Sequence, residues 1–156
     1  MGAVTTVPAF LSALRTKLAA LGGLSGVAIF TGPVDEVSMG KKSIILAYEP
    51  VEATYEYQTM GRVEAYEEYT VPGFVWVSVP GAGETQIAAA RTSAYAILEA
   101  VHDYVATLTD KATTQAAVGV DHVLVTGHSI EQFAADGERH LFLKFTVAVD
   151  AYFTPA

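Results

Sequence analysis

Five apolar side chains at every second position, Leu141, Leu143, Phe145, Val147 and Val149, constrain this chain more than any other feature. Side chains alternate along a strand, so all five point to one face. A face that apolar has to be covered by another layer of structure. Just upstream lies Asp136-Gly137, a dipeptide suited to the positive φ values of a two-residue hairpin turn. The pattern predicts that Val118 to Phe133 pairs with Glu138 to Asp150 across that turn. The opposite face carries His140, Lys144, Thr146 and Asp150.

Two helical stripes supply the cover. Val7, Phe10, Leu11, Leu14, Leu18 and Leu21 recur at spacings of three and four, with Ser12, Arg15, Thr16 and Lys17 on the other side. Thr6 is the expected N-cap, Pro8 fits the first turn, and Gly22-Gly23 is the expected stop. The second stripe is longer: Ile87, Ala94, Leu98, Val101, Val105 and Leu108 repeat over about six turns. Its N-cap is expected at Thr85, after Pro80-Gly81-Ala82-Gly83, and Asp110 to Gln115 reads as a polar connection.

Between the helices, short runs split by turn residues read as strands. Gly26 to Phe30 is the first, Val34 to Lys42 reads as a loop, and Ser43 to Tyr48 is apolar on both faces, as a central strand would be. Pro50 marks a bend. From Val51 to Val79 the pattern is a long hairpin turning at Met60-Gly61-Arg62, with Phe74 to Val79 continuing after Pro72-Gly73. The expected fold class is therefore α+β: a twisted antiparallel or mixed sheet with two helices packed on one face. At 156 residues the chain is expected to form one domain over 1–156.

The hairpin region concentrates unlike chemistries. Glu49, Glu52, Glu56, Glu64, Glu67 and Glu68 alternate with Tyr48, Tyr55, Tyr57, Tyr66 and Tyr69. Tyrosine joins an apolar ring to a polar tip, which suits a half-covered surface or an interface. The acids match no 12-residue calcium loop. They read as a solvated face, an oligomer surface or a charged channel wall.

The patterns that would carry catalysis are incomplete. Gly127-His128-Ser129-Ile130-Glu131 lacks the closing glycine and following helix of a nucleophile elbow, and neighbours on a strand face opposite ways. His122 and His128 share a face by alternation but lie about 20 Å apart at 3.3 Å per residue. His140 falls on the other face and His102 on the second helix, so no zinc site is expected. Gly81-Ala82-Gly83-Glu84-Thr85 lacks the lysine of a phosphate loop. Cysteine is absent, which removes disulfides and thiolate chemistry. No catalytic residues, metal or cofactor are expected.

Nine basic residues stand against seventeen acidic ones, a formal charge of −8. That is the wrong sign for a nucleic-acid reader. Hydrophobic residues make up 51% of the chain, enough to suggest that a partner covers some of the surface. The longest uncharged run, Leu18 to Val34, is interrupted by four glycines and a proline and predicts no membrane span. No basic stretch precedes an apolar core, so no secretory signal is expected. Met1 to Thr6 fits the loose N-myristoylation pattern, too short a match to be read as one.

Four segments together resemble the tail terminator, or tail-completion, proteins of long-tailed bacteriophages of the siphophage type. They are Thr5-Thr6-Val7-Pro8-Ala9-Phe10-Leu11-Ser12-Ala13-Leu14 with Gly32-Pro33-Val34, then Ile44-Ile45-Leu46-Ala47-Tyr48 running into acidic alternating strands. The third is the strand ending at Val79, Gly81 to Thr85, Ala88-Ala89-Ala90-Arg91 and Ala94 to Val101. The last is Phe145-Thr146-Val147-Ala148-Val149-Asp150-Ala151-Tyr152. The resemblance implies a non-enzymatic virion protein, assembled in the host cytoplasm. It would form a homo-oligomeric ring, usually a hexamer, on the head-proximal end of the tail tube. The ring would stop tube growth and meet the head-tail connector or head-closure protein, while DNA passes through its lumen without sequence-specific binding. Some of Glu52, Glu56, Glu64, Glu67 and Glu68 would then face the lumen or a subunit seam, with Tyr55, Tyr57 and Tyr66 at interfaces. The alternative is another neck or tail component, such as a tail tube subunit or head-closure protein.

Overall fold

The computed structural model describes residues 4–58 and 64–153. The expected turn at Met60-Gly61-Arg62 and the first three residues lie outside them. The C-terminal hairpin forms around the predicted dipeptide: Asp136 and Gly137 adopt φ of 53° and 72°, joining β5 (His122–Ala135) to β6 (Glu138–Phe153). Leu141, Leu143, Phe145, Val147 and Val149 are all buried on one face, as their alternation requires. Val118 belongs instead to a helix, and β5 begins four residues later.

The other strands are β1 (Ala28–Phe30), β2 (Lys42–Leu46), β3 (Ala53–Gln58) and β4 (Glu64–Pro80). β4 is the spine of the sheet. It runs seventeen residues without interruption, straight through Pro72-Gly73 where a break was expected. Along one side it pairs antiparallel with β6 over its whole length. Along the other it pairs antiparallel with β3 and then β2. Those two are one strand broken in the middle, because Ala47 takes a left-handed φ of 55° and Pro50 cannot donate to a ladder. β1 adds to β2 in parallel, and β5 lies outside β6. The sheet is therefore mixed, and the fold class is α+β as expected.

One face is covered by α1 (Val7–Ala19), α3 (Glu84–Ala106) and α4 (Lys111–Val118). Phe10, Leu14 and Leu18 of α1 are fully buried, and so are Ala90, Ala94 and Val101 of α3. Each large apolar side chain removed from water this way contributes roughly 1.5–3 kcal/mol. Small alanines on α3 let it lie close to β4 and β6. Gly73 serves the same packing from the sheet side: a Cβ there would stand 2.7 Å from Phe145 Cζ, so only glycine leaves room for that ring. The stretch expected to be a polar connection forms α4, capped by Asp110, which accepts from the Thr113 amide at 2.9 Å. Gly119 closes it with φ of 76°.

The opposite face holds a smaller cluster of Met39, Ile45 and Trp76, flanked by Phe30, Val34, Tyr48, Phe74 and Phe142. Met39 is delivered by α2 (Glu36–Met39), a single turn inside the expected loop. The Trp76 indole N–H donates to the Gly40 carbonyl at 3.1 Å. The sheet is thus packed on both faces near β2, with the larger core on the helical side. Among the described residues, no helix is long and apolar enough to cross a membrane.

Candidate functional site

The residues singled out from sequence divide between the two faces of β3 and β4. In register, Glu56 stands opposite Tyr66 and Thr54 opposite Glu68 on the face away from the helices, and Tyr55 opposite Glu67 on the helical face. Glu52, Glu56 and Glu68 are exposed, and Glu64 and Tyr66 are half-buried. Tyr66 packs on Tyr152 with ring centroids 4.9 Å apart, and its hydroxyl donates to Glu68 Oε1 at 2.9 Å. Desolvation pushes the Tyr66 hydroxyl well above its usual pKa, and the hydrogen bond to Glu68 and the charge of Asp150 push the same way.

Glu67 departs from the expectation. Its side chain is fully buried under the start of α1, so it faces neither a lumen nor a seam. One carboxylate oxygen accepts from the Thr6 amide at 2.9 Å and the Thr6 hydroxyl at 2.8 Å, and the other accepts from the Thr5 hydroxyl. Thr6 therefore does not cap α1 through its own side chain. The carboxylate reaches the helix N-terminus from the sheet, where the macrodipole favours negative charge. Tyr69 joins the group with its hydroxyl 3.1 Å from that of Thr6. Burial pushes the Tyr69 hydroxyl up strongly; the Thr6 hydrogen bond opposes this only in part.

The exposed acids meet a strand the sequence did not associate with them. Glu68 stands directly across from Asp150, and Asp150 from His122. Glu52, Glu68, Asp150 and His122 line a cleft of about 530 Å³ on the non-helical face. Two carboxylates in register repel. The His122 Nδ1 lies 2.6 Å from Asp150 Oδ1, within hydrogen-bond distance. Among the described residues, no group of three or more His, Asp or Glu side chains is arranged to hold a metal ion.

A bulge between Val125 and Gly127 separates the histidines. The extra residue shifts the alternation. His122 stays on the open face, whereas His128 turns to the helical side, edge-on to Tyr95 with centroids 5.5 Å apart. The shared face expected from counting is therefore lost. Tyr95, Leu98, His102, Val125 and His128 line a groove of about 510 Å³ between α3 and β5. His140 is buried on the open face, stacked on Trp76 at 4.9 Å and tilted against Phe133 at 5.1 Å, with Nδ1 unpartnered.

The largest feature missed from sequence is what the sheet leaves open. β5 pairs only with β6, and its residues from Thr126 to Ala134 are exposed. Leu124, Ile130 and Phe133 on that strand stand 63%, 39% and 39% exposed. At the other side of the sheet β3 pairs only with β4 and bears Tyr55 and Tyr57, 41% and 59% exposed. Apolar residues spaced without a strict period of two along β5 were the available signal, because they implied that neither face of that strand is wholly solvent.

No protein-family model matches the chain, and no curated protein matches its sequence. Its fold is similar to that of a chain in the solved structure described as "Virion of native gene transfer agent (GTA) particle". The TM-score is 0.52 at 15% identity, covering 96% of this chain and 100% of the other.

Proposed function

We propose that this protein is a structural subunit of a phage-like virion, which forms the ring that terminates the tail tube and joins it to the head. The observation that carries the reading is the unfinished sheet. One subunit presents a bare fourteen-residue strand with exposed Leu124, Ile130 and Phe133 on one side, and a bare strand with Tyr55 and Tyr57 on the other. Edges of that kind invite pairing with another chain. Two different patches on one subunit make a heterologous contact, which closes into a ring when the rotation per subunit allows. The fold similarity to a virion chain supports the same setting.

The role is assembly rather than catalysis, and it needs no cofactor. The partners are further copies in a ring, expected to be a hexamer, the tail tube protein below and the connector or head-closure protein above. Glu52, Glu56, Glu64 and Glu68 place negative charge on the open face, where it would repel DNA phosphates and keep a passing duplex from adhering. The alternative is another neck or tail component, a tube subunit or head-closure protein, which the same virion likeness favours equally. Negative-stain imaging with solution mass separates them. Single rings of about six copies support the terminator. Long stacked filaments identify a tube subunit. Monomers at high concentration overturn the ring.

A further inference from the structure

We infer that neighbouring copies join by adding β3 of one subunit to the bare edge of β5 in the next, so that one sheet continues across each seam. The inference rests on the ring reading above and names its contact. Strand direction is consistent with it. β3 is antiparallel to β4, β4 to β6 and β6 to β5, so β3 and β5 run in opposite senses. A rotation about an axis close to the strand direction preserves those senses. β3 of the next copy therefore meets β5 antiparallel, the geometry in which inter-strand hydrogen bonds are perpendicular and the pairing slightly more stable per residue.

The side chains match face by face. Tyr55 and Tyr57 project on the helical face of β3, with ring centroids 6.4 Å apart. On the helical face of β5 lies the groove of about 510 Å³ walled by Tyr95, Leu98 and His102 of α3 and by Val125 and His128. Continuing the sheet carries the tyrosine pair to that groove, and burying two half-exposed aromatic rings is the strongest apolar gain β3 offers. Charge agrees with this order. Residues 49–58 carry Glu49, Glu52 and Glu56, whereas 122–135 carry a single acid, Glu131, so this order sets fewer like charges against one another than a β3-to-β3 contact would. β1 offers only three residues at the remaining edge, too few to match. A β5-to-β5 contact would give a closed twofold dimer that leaves both tyrosine pairs in water.

The natural chain has no cysteine, so single cysteines report the seam cleanly. Glu56→Cys and Leu124→Cys both place a thiol on the open face of an edge strand. Each full-length variant is purified, imaged for rings and treated with a short bismaleimide, alone and as an equimolar mixture. Rings that yield a covalent dimer only in the mixture support the seam. Rings with no covalent dimer in any sample overturn the seam and leave the ring reading standing. A covalent dimer from Leu124→Cys alone shows β5-to-β5 pairing and overturns it. Monomers with no cross-link overturn both. As a second measurement, Tyr55→Ala with Tyr57→Ala should raise the concentration for half-assembly about tenfold or more, with the circular dichroism of the subunit unchanged. An unchanged assembly concentration overturns the docking of the tyrosines in the groove.

Discussion

Glu67 shows how one residue changes role with its surroundings. By composition it is one acid among several on an acidic hairpin; by position it is the only one of them turned under α1. Its carboxylate satisfies the Thr6 amide and two hydroxyls from a segment 61 or 62 residues away in sequence. Removing it takes the carboxylate acceptor from a half-buried amide and two half-buried hydroxyls, at about 1–3 kcal/mol. Glu67→Leu should lower the unfolding free energy measured in urea by that much and raise hydrogen exchange at the start of α1. Unchanged exchange there would mean that α1 is held by Phe10, Leu14 and Leu18 alone. Gly73 makes a second test at this scale. Gly73→Ala sets a methyl 2.7 Å from Phe145 Cζ on a strand paired on both sides, so the ring has to leave its place. The expected destabilisation is about 1–3 kcal/mol, the usual result of overpacking a core. It should be relieved in part by Phe145→Leu in the same chain, measured as a double-mutant cycle.

Among the elements, α3 and β6 were legible in the sequence because each is long enough for its period to repeat many times. The Asp136-Gly137 turn was legible because both positions need φ > 0. The short elements were not. α4 is two turns of Lys111-Ala112-Thr113-Thr114-Gln115-Ala116-Ala117-Val118, with only Thr114 and Val118 buried, so it shows no stripe. Its existence depends on the Asp110 cap and the Gly119 stop. Hydrogen bonds from the Thr113 amide and hydroxyl hold the Asp110 carboxyl below its ordinary pKa. A carboxyl depressed on folding stabilises the fold above its unfolded pKa of 3.8, and that contribution is lost as pH falls through the lower folded value. Amide protection at Thr113 should therefore weaken on acidification below about pH 4, and in Asp110→Ala it should be weak and independent of pH over that range. The candidate surface was legible only by half. The concentration of acids and tyrosines in this stretch was legible, but the cleft with His122 and Asp150 depends on a register that spans 82 residues of chain. The bulge after Val125 reversed the facing of His128, and no pattern of residue types announced it.

For the whole molecule the consequential quantity is where its charge of −8 sits. Glu52, Glu56 and Glu68 gather on the face opposite the helices, near Asp150, while Lys144 is the exposed base on β6 of that face. A wall of this sign gives a duplex nothing to hold, because affinity for DNA comes chiefly from cations that displace counterions from phosphates. Reversing the wall should create an affinity for DNA. Glu52→Lys, Glu56→Lys and Glu68→Lys each add two charges and together bring the total from −8 to −2, with every change on that face. All three positions are exposed, and the change at Glu68 gives up one exposed hydrogen bond, from the Tyr66 hydroxyl, so the fold should survive. Placed inside a ring, the reversed residues from every copy would surround the duplex. Fluorescence anisotropy with a duplex should detect no binding by the natural protein and clear binding by the triple variant at low salt. That binding should fall steeply between 50 and 200 mM salt, with a logarithmic slope of about −0.9 for each phosphate contacted. The same three reversals on residues that face outward would bind DNA with the shallow slope of a single subunit's few contacts. The slope, compared between assembled and dissociated protein, therefore reports whether the acidic face lines an enclosed channel.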